Sequence, residues 1–83
     1  MKNLITKFNK TLLQAAKAQD VTLCHEEYML LLEPSVPSFI KTYANKAYEM
    51  VSSYVNGKMS KEILKAAMPV LYDYVYSIVD QMY

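Results

Sequence analysis

Arginine is absent: all nine basic residues are lysine. The planar guanidinium fork that reads guanine edges and grips phosphate in a bidentate way is therefore missing. That counts against sequence-specific nucleic-acid recognition. Cysteine occurs once, at Cys24, so no intrachain disulfide can form, and a lone thiol suits a reducing compartment. Histidine also occurs once, at His25, leaving a zinc site without its usual ligands. Only Gly57, Pro34, Pro37 and Pro69 serve as strong turn formers. A many-stranded fold is hard to build from so few, whereas helices need fewer. There is no glycine-rich phosphate loop. Nor is there an uncharged apolar run of about 18 residues, so no membrane span is expected. The start, MKNLITKFNK, returns to charge before an apolar region forms, which is not the pattern of a secretory signal. A cytoplasmic location is the resulting expectation.

What is present is a short chain of 83 residues with an apolar fraction of 53%. It is long enough for a single helical domain over 1–83 and too apolar to stay disordered. Domains of this size bury a modest core, so association with a copy or a partner is a natural way to complete it. The net charge is +1, but it is unevenly spread. Lys2, Lys7, Lys10 and Lys17 crowd the start, and after Lys65 the only charged residues are Asp73 and Asp80. Abundant lysine, asparagine, tyrosine and isoleucine fit an A/T-rich genome, as in many phages and some bacteria.

Residues 3–19 place Leu4, Ile5, Phe8, Leu12, Ala15 and Ala16 on one helical stripe with the lysines opposite. That basic face suits plain solvation, an anionic membrane surface or phosphate. A second short helix is expected over 23–33, ending before Pro34. EPSVPS then turns, with Ser35 as a cap and Pro37 in a first helical turn. The third helix runs to about Val55 with Val36, Ile40, Tyr43, Ala47, Met50, Val51 and Tyr54 on one side. Asn56-Gly57 stops it, Ser60 caps a fourth helix, and Met59 is placed to staple onto Leu64. The short link makes the last two helices an antiparallel hairpin. The fold class read from these signals is all-α, a compact bundle of three to four helices.

The final segment, PVLYDYVYSIVDQMY, alternates Tyr72, Tyr74 and Tyr76 as a strand would. No partner strand is in view, and no glycine separates it from Ser60, so the helix continues. Wound as a helix, its apolar arc covers about two-thirds of the circumference, wider than the roughly 100° stripe of a surface helix. Two sides must then be covered. A kink is expected at Pro69, which clashes with the carbonyl of Lys65.

Chemistry-bearing clusters are sparse. Cys24 and His25 are neighbours and point about 100° apart on a helix, so they cannot act as a nucleophile–base pair. Glu26, Glu27 and Glu33 favour a helix N-terminus and a wet face over acid–base work. No catalytic residue, metal ligand or cofactor site is expected, and the chain is read as no enzyme. The expected function is that of a small cytoplasmic regulator that modulates or inhibits another protein. Its binding face would be the Tyr/Met-rich surface of Tyr72, Val75, Tyr76, Val79, Met82 and Tyr83, with homo-oligomerisation, a dimer above all. Phage and bacterial accessory proteins such as lysis-timing antiholins, antitoxins and host-factor inhibitors share this size and chemistry. The alternative is a helix-turn-helix DNA-binding regulator. It would use the helix starting near Pro37, with Ser38, Lys41, Thr42, Asn45 and Lys46 toward the duplex.

Overall fold

The computed structural model describes residues 2–82, with the side chains of 81 and 82 left aside. Four helices are present among the described residues, and no strand. They are α1 (Lys2–Ala18), α2 (His25–Leu30), α3 (Ser38–Val55) and α4 (Lys61–Met82), with a 3₁₀ turn at Val21–Cys24 before α2. The alternating tyrosines are helical.

The ends of α1 and α3 follow from local chemistry. Beyond α3, Gly57 takes φ +78°. Its amide donates to the Tyr54 carbonyl at 3.1 Å, and that of Lys58 donates to the Ser53 carbonyl at 2.8 Å. This is a Schellman closure, in which a left-handed residue lets two otherwise orphaned carbonyls be satisfied. The same closure ends α1, where Gln19 donates to Ala16 at 3.3 Å and Asp20 to Ala15 at 3.0 Å. Here the left-handed residue is Gln19, at φ 55°, and not a glycine. The two stops therefore predict opposite effects. Gln19→Gly should stabilise the fold by roughly 0.5–1 kcal/mol, since it removes a Cβ penalty and adds only chain entropy. Gly57→Ala should destabilise by about 1–2 kcal/mol despite open space around the position. Urea midpoints of the two variants check this, and shifts of the same sign would refute it.

Ser60 caps α4 as expected, its hydroxyl accepting from the Ile63 amide at 3.3 Å. At α3 the expectation is corrected: the N-cap position is Pro37, with no side-chain cap, and Ser35 is exposed in the preceding turn. The second helix is shorter than 23–33. Asp20 organises the 3₁₀ turn by accepting from the Thr22 amide at 3.1 Å and hydroxyl at 2.6 Å, and these bonds hold its carboxyl below its usual pKa. After Leu30 the amides of Leu32 and Glu33 reach back only three residues, to Met29 and Leu30. The chain thus tightens into turns ahead of Pro34, which cannot sit inside a continuing helix. Helix α4 runs through Pro69 as one element.

One core joins the helices. It gathers Ile5, Phe8 and Leu12 from α1, Ile40, Tyr43, Ala47 and Val51 from α3, and Leu64, Val75 and Val79 from α4. α3 packs against α1, α2 and α4. Hydrogen bonds join α1 to α4 in antiparallel order, with Thr6 on Tyr76 at 2.8 Å and Lys2 on Asp80 at 2.8 Å. α2 docks through an aromatic ladder. Tyr48 stacks on Tyr28 at 4.2 Å between centroids, Tyr28 on Phe8 at 6.3 Å, and Phe8 meets Tyr43 edge-on at 6.3 Å.

Candidate functional site

α4 is the element whose surroundings decide the site, because it is apolar on more sides than the chain covers. At about 100° per residue, Leu64, Val75 and Val79 fall on its inner side. All three are buried. Ile63, Ala66, Val70 and Tyr74 fall on the opposite side, at helical spacing. Ile63 is 57%, Val70 66% and Tyr74 50% exposed. Val70 and Tyr74 also line a cleft of about 330 Å³ against Thr42, Tyr43 and Lys46 of α3. Glu62 and Asp73 edge the exposed stripe, Ser77 falls within its arc, and all three are exposed.

This arrangement redistributes the expected partner face. Val75 and Val79 are fully buried in the chain's own core, which corrects their assignment to a binding surface. Tyr76 is half-buried, and its hydroxyl is engaged by Thr6 and by the Asn9 amide at 3.2 Å. Tyr72 is half-buried on the wall of a groove between α1 and α4. Tyr83 and the side chain of Met82 lie outside the described residues.

Two residues that periodicity passes over are structural. Asn9 is buried on the apolar stripe of α1, where its amide donates to Tyr76 and its carbonyl oxygen accepts from the Tyr43 hydroxyl. Its spacing from Ile5, Leu12 and Ala16 puts a polar residue in the middle of that stripe, and this is the signal that could have revealed it. Of the three glutamates expected on a solvated face, Glu26 and Glu33 are exposed, but Glu27 is 4% exposed and departs from that expectation. Its carboxylate faces the ammonium of the exposed Lys7 at 4.0 Å. Cys24 is buried nearby, and burial pushes its thiol above the ordinary value, with Glu27 adding to the effect. A thiol so placed is a poor nucleophile. His25 is exposed. Among the described residues no group of three or more His, Cys, Asp or Glu could hold a metal.

The DNA-reading set fares unevenly. Ser38, Thr42, Asn45 and Lys46 are exposed along one side of α3, and Lys41 is half-buried. The Asn45 oxygen accepts from the Tyr28 hydroxyl at 2.5 Å, and the Thr42 hydroxyl donates to the Ser38 carbonyl at 3.1 Å. α2 has 6 residues, and the link to α3 occupies positions 31–37. A helix-turn-helix uses a turn of three to four residues, so these two helices do not have its spacing. Among the described residues no helix is long and apolar enough to cross a membrane. The chain matches no protein-family model, no curated protein and no solved structure.

Proposed function

We propose that the chain is a small non-enzymatic regulator that acts by binding another protein, with the outer stripe of α4 as its contact surface. The observation that supports this is the row Ile63, Val70 and Tyr74, each half or more exposed on a helix whose other side is already buried. Scattered exposed apolar side chains are ordinary, but a contiguous row along one helix is the pattern of a surface awaiting a partner. Tyrosine contributes a large contact area at little entropic cost and retains a polar tip at a wet rim. A second copy of the chain is one form such a partner can take.

Val70→Glu combined with Tyr74→Lys tests the reading. Both positions are exposed, so thermal stability and helicity should move by no more than about 0.5 kcal/mol equivalent. A protein that the wild-type chain captures from its native host, or a dimer that the wild-type chain forms by light scattering, should be lost. An intact variant that retains both its partner and its oligomeric state would refute the assignment.

A further inference from the structure

A second surface lies on another side of α4. Between the second half of α1 and the first half of α4 runs a groove of about 240 Å³ with Leu12, Leu13, Met68 and Tyr72 along it and Val51 among its lining residues. It continues into a cavity of about 380 Å³ that shares Leu13, Ala16, Leu64 and Lys65. The two ends differ in chemistry. The far end is lined almost wholly by apolar side chains. At the near end Lys17, Lys61 and Lys65 all line the cavity, and among the described residues no carboxylate lines either part.

Lys61 and Lys65 belong to the first turns of α4 and Lys17 to the last turn of α1, so the cavity they line lies at the N-terminal end of α4, where the helix dipole adds positive charge. From Lys61 to Tyr72 the groove wall is about 16 Å long, the length of three helical turns. It runs along α4 beside α1, with Val51 and Tyr54 of α3 also lining it.

We propose that this groove docks an acidic amphipathic helix of a partner protein, with its apolar side chains on Leu12, Leu13 and Met68 and its carboxylates over Lys17, Lys61 and Lys65. Charge selects the occupant: an apolar floor alone would accept any amphipathic helix, but the lysine end rejects a basic one. This site is separate from the outer stripe of α4, so either can fail without the other.

The test uses the full chain and a synthetic helical peptide of three to four turns, capped at both ends. The peptide carries leucines on one stripe and three glutamates in its first turn. Its counterpart carries lysines in place of the glutamates. Fluorescence anisotropy should show saturable binding of the acidic peptide about tenfold tighter than its counterpart, as three exposed ion pairs would give. The preference should shrink at high salt. Lys61→Glu/Lys65→Glu should reverse it, and Leu13→Glu, at an exposed position, should abolish binding of both peptides. Val70→Glu/Tyr74→Lys should change nothing here, which separates this site from the outer stripe. Equal affinity for the two peptides, or an unreversed preference in the lysine double variant, would overturn the proposal. So would saturation of the groove by dodecanoate that the acidic peptide cannot displace, since that outcome assigns the site to a lipid.

Discussion

Phe8→Ala is expected to be the most damaging single change in the protein. Phe8 is fully buried, and its ring touches both Tyr28 and Tyr43. It therefore ties α1 to α2 on one side and to α3 on the other. Truncation of a buried phenylalanine costs about 3–5 kcal/mol, from lost transfer energy and the cavity left behind. The two aromatic contacts add to that figure. A domain of this length has a total stability of roughly 4–12 kcal/mol. The variant should accordingly be largely unfolded near physiological temperature, or show a urea midpoint close to zero. Phe8→Leu, which keeps most of the volume, should cost far less and preserve the helical circular-dichroism signal. If Phe8→Ala lowered stability by less than about 1 kcal/mol, α2 would not be anchored through this ring.

The same residue shows which parts of the fold were legible in the sequence. Phe8 stands at helical spacing from Ile5 and Leu12, with lysines opposite, and such a pattern has one physical solution. Gly57 and Ser60 are equally readable, because a left-handed stop and a hydroxyl cap act locally. Helix α4 was readable as a helix but not in its orientation. When two-thirds of a circumference is apolar, the wheel cannot say which third faces the core. Val75 and Val79 took the inner positions, and Ile63, Val70 and Tyr74 were left outside. That choice is made by α1 and α3, through the Thr6 and Asn9 bonds to Tyr76 and the packing around Leu64. Long-range contacts of this kind leave no local mark. Helix α2 illustrates a different limit. Its glutamates read as solvated, but the aromatic ladder of Tyr28 turned Glu27 inward toward Lys7.

This geometry bears on function through exposure. A chain that spends its inner valines and tyrosine hydroxyls on its own fold leaves the outer stripe of α4 and the lysine-ended groove exposed. They lie on different sides of one helix, so a partner on one need not displace a partner on the other. Under the function proposed above, such a chain would bridge two proteins, or join a copy of itself to a target. The polar centre at Asn9 fixes the rotation of α4 that keeps both surfaces outward.

Asn9→Ala is the direct test of that centre, and the second large loss expected. Tyr43 is 1% exposed, and its hydroxyl donates to the Asn9 oxygen. Removing the amide leaves a buried hydroxyl without its acceptor, which costs about 1–3 kcal/mol, and the Tyr76 hydroxyl loses one of its two partners. A total loss of about 2–3 kcal/mol is expected. Tyr43→Phe should cost less alone, and on the Asn9→Ala background its cost should nearly vanish. The resulting coupling should be about 1–2 kcal/mol in a double-mutant cycle. An alkaline titration gives an independent readout. Burial, with Tyr72 and Tyr76 contributing, raises the Tyr43 phenol well above its ordinary value of 10.0. Burial raises Tyr72 and Tyr28 in the same direction. The unfolded chain then releases these protons first, so folding stability is fully present below about pH 10 and falls as pH rises beyond it. Tyr43→Phe should flatten that fall. Strictly additive single losses, together with an alkaline slope unchanged by Tyr43→Phe, would show that the two side chains do not act as a unit.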